Sequence, residues 1–282
     1  MSKALSNTVK RIALIDADTI IYATAASAEW RAKGQDDNGG DLWLERKTPE
    51  ECYAHIIERF EEVIFATRSD AAFICISARE NFRYGILPTY KSNRHATRRP
   101  PMLTTLRDML QERKPWPVML VDTLEADDVC GISAGALTRP GQETVICSPD
   151  KDLRTIPGLL YACRQDSQVE AISVAEAEEY HLYQTLVGDT TDCYTGCPKV
   201  GPVKAKAILE ECRDQGLNPA QRWERILLEF TSRGFSEEYA LTQARVARIL
   251  RFEDWNAETK EVVLWNPPVM DPAIVEQQGE AA

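Results

Sequence analysis

Acidic residues recur in four short stretches where an apolar run ends or a helical pattern begins. These are Asp16 and Asp18 in RIALIDAD, Glu125, Asp127 and Asp128 in LEADDV, Asp150 and Asp152 in SPDKD, and Asp189 and Asp192 in GDTTD. At any one stretch the ordinary alternative is a helix cap or a partner for the helix dipole, and Asp18 in particular reads as a cap. Four stretches together change the balance. Carboxylates crowded into one place repel one another and need cations to remain ionised. Hard oxygen ligands suit Mg²⁺ or Mn²⁺ rather than zinc. Two such ions about 3.5–4 Å apart activate a water and stabilise the leaving oxygen of a phosphodiester. The chemistry indicated is metal-dependent phosphodiester hydrolysis.

The chain as a whole is acidic, with a formal net charge of −11. Its positive charge is concentrated: residues 79–114 hold nine Lys/Arg against three Asp/Glu, so this segment carries +6 and the remainder −17. Within it lies YKSNRHATRR (90–99), and Tyr90, Arg83, Arg98 and Arg99 are its candidate nucleic-acid contacts. Charge holds phosphates and rings stack on bases; the alternative is a solvated surface loop. Lys91 and Arg94 are three apart and meet one phosphate together if the segment is helical. A second basic element, GCPKVGPVKAKAI, begins at Thr195's neighbour Gly196 and carries Lys199, Gly201, Lys204 and Lys206. Glycines permit close backbone approach, a helix start near Pro202 offers free N–H groups, and the lysines attract phosphate without reading sequence. An ordinary helix–turn–helix corner is the alternative. GxxxxGK[ST] spacing is absent, so this is not a Walker loop.

The elements that must position these groups follow from periodicity. RIALID (11–16), AAFICIS (71–77), PVMLVD (117–122), TVICS (144–148) and GLLYAC (158–163) read as short buried strands. Helical patterns lie between several of them, which implies an α/β fold with a mostly parallel central sheet. Thr48-Pro49-Glu50-Glu51 is a capping box opening a helix to about residue 68, and Ser173-x-x-Glu176 opens another towards 187. Beyond Asp192 the pattern is helical over 202–213, 219–232 and 236–252, with a late strand at EVVLW (261–265). The boundary is placed at 187/188. With 282 residues there is ample chain for a core. No signal-peptide pattern and no run of membrane-spanning length occurs, and the expectation is a cytoplasmic protein without membrane contact. The eight cysteines are scattered without a CxxC pair, which favours reduced, mostly buried thiols over zinc ligands.

In order along the chain, IDAD, YKSNR, LEADDV, SPDKD and GDTTD followed by the glycine loop resemble the motifs of the 5′-nuclease (flap endonuclease) family. LYQTLVGDTTDCYTG (182–196) and ARVARILRFEDWNAETKEVVLW (244–265) are most similar to its T7-type phage 5′→3′ exonucleases. The likeness runs from about residue 11 to 268. It implies a PIN/5′-nuclease-like catalytic domain (1–187) with a helical arch over the site at about 80–115. It also implies a helix–two-turn–helix module (188–212 within 188–282) that grips duplex DNA and often holds K⁺ through backbone carbonyls. Carried over residue by residue, Asp16, Glu125, Asp127, Asp128, Asp150, Asp152, Asp189 and Asp192 match the family's metal-site acids. Lys91 and Arg94 match its contacts to the scissile phosphate. The implied protein is a monomeric 5′→3′ exonuclease acting in phage DNA replication or processing. Its implied substrates are duplex DNA with 5′ ends, flaps and RNA–DNA hybrids.

One position departs. CISARENFR has Ala78 where the family carries an aspartate about five residues before the arginine that is Arg83 here. Alanine offers no ligand. Either a neighbour such as Glu80 compensates, the site is weakened, or the alanine is a deliberate replacement. Two rival readings stand beside the nuclease: a PIN-like RNase, and a non-catalytic protein that binds DNA ends or junctions.

Overall fold

The computed structural model describes residues 9–35, 41–96 and 98–269. They form two compact units, one drawn from residues before 82, 97–173 and 250–255, the other from 82–96, 174–249 and the residues after 255.

The first unit is built on a six-stranded sheet. Its strands are β1 (Arg11–Asp16), β4 (Ala71–Cys75), β5 (Val118–Met119), β6 (Glu143–Cys147), β7 (Gly158–Tyr161) and β8 (Val169–Ile172), in the order β5-β4-β1-β6-β7-β8. All neighbours run parallel except β7 and β8. Register aligns Ile12 with Ala71 and Thr144, and Ile15 with Ile74 and Cys147. The carboxyl ends of β1, β4 and β6 therefore fall on one edge, where parallel sheets place their ligands.

Alternation along β1 sends Ala13 and Ile15 to one face. There they join a fully buried cluster with Ile21 of helix α1 (Ala17–Ser27), Ile56 and Phe60 of α2 (Pro49–Ala66), and Leu106 and Leu110 of α4 (Met102–Arg113). Helix α5 (Ala126–Leu137) packs across β1, β4 and β6. The capping box at α2 forms as the sequence implies. Thr48 Oγ1 accepts from Glu51 N at 3.3 Å, and Glu51 Oε2 accepts from Thr48 N at 2.7 Å. A hairpin of β2 (Glu29–Gln35) and β3 (Asp41–Glu45), and strand β8, were not expected from periodicity.

The second unit is helical, with a short α3 (Arg83–Ile86), then α6 (Val174–Val187), α7 (Pro202–Asp214), α8 (Pro219–Thr231) and α9 (Glu237–Ala247). Leu182, Leu186, Ile208, Trp223, Ile226, Phe230 and Ala244 make its core. Because α6 packs on α7 and α9, the division falls before Val174 and not at 187/188. Residues expected to form one arch divide likewise. Residues 82–96 belong to the helical unit, whereas α4 turns Met102, Leu106, Met109 and Leu110 into the α/β core. The late strand shrinks to Glu261–Val262.

Candidate active site

Asp16 ends β1 and is buried, with Oδ2 accepting a 2.7 Å hydrogen bond from Ser148 Oγ. Burial pushes its carboxyl up to about 7 against the downward pull of Ser148, and the nearby Asp18 and Asp150 carboxylates raise it further. Ser148 also accepts from Asp150 N at 3.1 Å, so one hydroxyl fixes the ends of two acidic stretches. Asp150 in turn accepts from Asp152 N at 2.9 Å, capping the 3₁₀ turn Lys151–Thr155.

Glu125, Asp127 and Asp128 occupy the start of α5, and each offers a carboxylate oxygen within 4.8 Å of the others. The local fold explains their convergence. Glu125 is the extended N-cap, and Asp128 at the third helical position accepts from Glu125 N at 3.2 Å. Ser77 Oγ, just past β4, accepts from Ala126 N at 2.9 Å and ties this helix start to the sheet edge. Asp128 is fully buried, and its Oδ1 accepts from Leu250 N at 3.0 Å. Ser77 also donates from its amide to Asp18 Oδ2 at 3.0 Å, so the start of α5 and the acids that follow β1 meet at one end of the sheet. An all-oxygen donor set of this kind, beside a buried acid whose carboxyl is raised, fits a hard divalent cation.

Asp18 is not a cap. Its Oδ2 accepts from Ser77 N at 3.0 Å, while Arg107 pairs with Oδ1 and also donates to Ser77 O. Ser77, Ser148 and Arg107 were missed beside these acids; Ser77 next to Ala78 and Ser148 at the head of SPDKD were the available signal. Ala78 N donates to Leu124 O at 2.8 Å, so position 78 is bonded to the residue preceding Glu125. Glu80 is exposed.

In the helical unit, Lys91 and Arg94 do meet one anion, and it is Asp192. Arg94 Nη2 donates to Asp192 Oδ1 at 2.9 Å, Tyr90 OH donates to Oδ2 at 3.1 Å, and Lys91 Nζ lies 3.5 Å from Oδ2. Lys91 N also donates to Asp192 O at 2.9 Å, and Asn93 Nδ2 reaches Thr191 O at 3.1 Å. Asp189 and Asp192 lie in a turn closed by the pairing of Asp189 with Tyr194, not on a helix, and Asp189 Oδ1 accepts from Thr191 N at 2.6 Å.

Two expected DNA contacts are corrected. Arg83 is only 2% exposed, and its guanidinium donates to Val246 O at 3.1 Å and Arg248 O at 2.7 Å, closing the end of α9. Tyr90 is buried, with Lys91 Nζ 4.9 Å from its ring centroid. Neither is placed to stack on a base. Arg98 and Arg99 are exposed; Arg98 lies over the Trp43 ring at 4.4 Å and donates from Nη2 to Glu29 Oε2 at 2.7 Å.

The glycine loop separates two kinds of glycine. Gly196 has φ +62°, and a Cβ there would lie 2.4 Å from Gly188 N, so the protein's own backbone crossing requires it. Gly201 is the N-cap of α7 without a side-chain cap, and a Cβ there meets nothing within 4 Å. Lys199, Lys204 and Lys206 are all exposed around it.

Sequence comparison matches residues 11–179, more than half the chain, to the family described as 5′-3′ exonuclease, N-terminal resolvase-like domain. The chain belongs to this 5′-3′ exonuclease family. It is 28% identical to the exodeoxyribonuclease of Enterobacteria phage T3 across 92% of this chain and 93% of that protein. It is 26% identical to the exonuclease of Escherichia phage T7 across 92% and 94%. A solved structure of the T5 5′-exonuclease with bound divalent metal ions (zinc) superposes with a TM-score of 0.59 at 15% identity, covering 84% of this chain and 89% of that one. That structure shares the mostly parallel α/β fold. Family membership makes this chain a nuclease of the 5′→3′ class, and its acid cluster indicates divalent-metal use. No helix among the described residues is long and apolar enough to cross a membrane.

Proposed function

We propose that this chain hydrolyses phosphodiester bonds from the 5′ ends of duplex DNA, and of flaps and RNA–DNA hybrids, in phage DNA replication and processing within the host cytoplasm, as a monomer. The observation that carries this reading is the meeting of Glu125, Asp127 and Asp128 at the sheet edge that also holds the buried Asp16. Asp16, Glu125, Asp127, Asp128, Asp150 and Asp152 would hold Mg²⁺ or Mn²⁺. Asp189 and Asp192 carry the family's role as ligands for the same class of cation. When bound, such ions activate water and stabilise charge on a phosphate.

The chain's own residues do the rest. Burial raises the Asp16 carboxyl to about 7, so a bound cation would favour its ionised form. Asp128 also fixes the α5 start, since its oxygens accept from Glu125 N and Leu250 N. Lys91 and Arg94, already converged on one carboxylate, bind the phosphoryl oxygens of the substrate and stabilise the charge that develops on them. Lys199, Gly201, Lys204 and Lys206 hold the duplex backbone, and the loop's carbonyls would hold K⁺.

Single-turnover cleavage of a 5′-labelled DNA duplex in competition with structured RNA tests the substrate. Preference for DNA supports the reading, and preference for RNA replaces it with an RNase. Ala78 favours a second reading, a DNA-end-binding protein with weakened catalysis, which predicts binding without products under any divalent ion.

A further inference from the structure

Helix α7 starts against the usual rules. Its N-cap, Gly201, has no capping side chain, and no acidic residue occupies its first turn. Its third helical position is Lys204, where the helix dipole disfavours a cation. Lys204 is held there by Glu229 of α8, a carboxylate only 9% exposed. Lys204 Nζ lies 3.3 Å and Arg233 Nη1 2.7 Å from Glu229 Oε2, while Arg225 Nη1 donates to Oε1 at 2.8 Å. Arg233 also donates to the Glu229 backbone carbonyl. Three cations thus converge on Glu229; Arg225 also pairs with Glu211 at 3.0 Å, so three cations meet two anions and one positive charge is left over. Burial works to raise the Glu229 carboxyl, and the hydrogen bond from Arg225 with the Lys204 and Arg233 charges overcomes it, holding it below the usual range.

This cluster adjoins the glycine loop: Cys197 and Val200 of the loop, Ala205 beside Lys204, and Ile226 and Phe230 flanking Glu229 pack in one buried cluster. Lys204 keeps 48% of its side chain exposed, so its ammonium retains donors for a further anion. Glycine at 201 is not demanded by packing, which leaves its place open to close approach by something outside the chain.

We propose that Glu229 is a positioning residue for duplex binding: its carboxylate holds Lys204 beside the uncapped start of α7, so that both face one backbone phosphate. The inference rests on the functional reading above, in which this loop grips duplex DNA. It makes a prediction opposite to simple charge counting. Removing the negative charge of Glu229 makes the surface more positive, which alone would tighten binding and steepen its salt dependence. Positioning requires the reverse, because a lysine released from its anchor and repelled by two arginines no longer presents its charge at a fixed place.

The test is fluorescence anisotropy of the full chain with a short, blunt-ended, labelled DNA duplex, in EDTA to prevent cleavage, over a salt series. Glu229→Gln and Lys204→Ala are each expected to weaken binding roughly fivefold at moderate salt and to make the log Kd–log salt slope shallower by about 1. The double variant is expected to bind no more weakly than either single one, because both changes remove the same contact. Glu229→Asp keeps the charge and the fold but withdraws the carboxylate by one methylene. It is expected to weaken binding as well, and it carries the test alone if Glu229→Gln does not fold. Equal or tighter binding by Glu229→Gln or Glu229→Asp, with Lys204→Ala weakened, overturns the positioning role and leaves the functional reading standing. Wild-type binding that Lys204→Ala leaves unchanged overturns the loop's assignment, and the inference with it.

Discussion

Lys91 and Asp192 are joined twice, by a 2.9 Å hydrogen bond from the Lys91 amide to the Asp192 carbonyl and by their side-chain charges at 3.5 Å. The backbone link fixes where the residue sits, with φ +52° at Lys91. The side-chain link presents the ammonium at an anion, and Arg94 reaches the same carboxylate. In the proposed function these two cations would turn from the carboxylate to a substrate phosphate.

Lys91→Ala and Arg94→Ala should therefore separate activity from stability. Each is expected to lower kcat by about 10²–10³-fold, the usual loss on removing one donor to a developing oxyanion. A pair with an exposed arginine is worth up to about 1 kcal/mol, so thermal midpoints should move little. Rapid-quench kinetics beside thermal unfolding checks both. Equal activity losses explained by unfolding would remove these residues from the chemistry.

The raised carboxyl of Asp16 makes the metal-free protein pH-sensitive. The native state holds a proton that the unfolded chain releases near 3.8, so native stability falls as pH rises through the window from about 4 to about 7. A shift from 3.8 to about 7 corresponds to roughly 4 kcal/mol. Urea unfolding in EDTA should show lower stability at pH 8 than at pH 5. Asp16→Asn should flatten that dependence, and a divalent cation at pH 8 should restore wild-type stability by binding the folded state.

Arg83 is expected to act on stability alone. Arg83→Met abandons the carbonyls of Val246 and Arg248, at about 1–3 kcal/mol for each buried group left unsatisfied. Denaturant midpoints should drop accordingly. Duplex affinity of the folded protein should not change, since the guanidinium faces the interior; a loss of affinity without loss of stability would restore it as a DNA contact.

Gly196 and Gly201 should behave oppositely. Gly196→Ala places a Cβ 2.4 Å from Gly188 N at φ +62° and is expected to prevent stable folding. Gly201→Ala meets nothing within 4 Å and should leave stability within about 0.5 kcal/mol, while weakening duplex binding by blocking close approach. Thermal unfolding and anisotropy distinguish the two.

Ala78→Asp should strengthen the site. Position 78 is bonded through its amide to Leu124, next to Glu125, and a carboxylate there adds a hard ligand where the family carries one. Calorimetric titration with Mn²⁺ is expected to show tighter binding, and cleavage to quicken. Unchanged binding and rate would mean that the site does not use that ligand in this chain.

Much of this was legible from local pattern. β1 ending in Asp16, the Thr48 capping box and the start of α7 at Pro202 are fixed by alternation, capping chemistry and proline, which act over a few residues. What escaped depends on distant partners. Arg83 looked like a surface cation because its acceptors lie more than 160 residues away, and the bond from Leu250 to Asp128 was hidden because Leu250 is 122 residues on. Helix α4 was read by its charges, while its buried Met102, Leu106, Met109 and Leu110 decide where it packs. The EWRAKGQ strand of the β2–β3 hairpin lacks the apolar alternation that would have marked it.

The central claim is metal-dependent cleavage by the acids around Asp16. The most direct measurement follows release of labelled products from a 5′-labelled DNA duplex by the purified chain in Mg²⁺ or Mn²⁺, with and without EDTA, beside Asp127→Ala. Short products that require the metal and disappear in EDTA and in Asp127→Ala are the predicted result. Cleavage that survives EDTA, or duplex binding with no product under either ion, would contradict it.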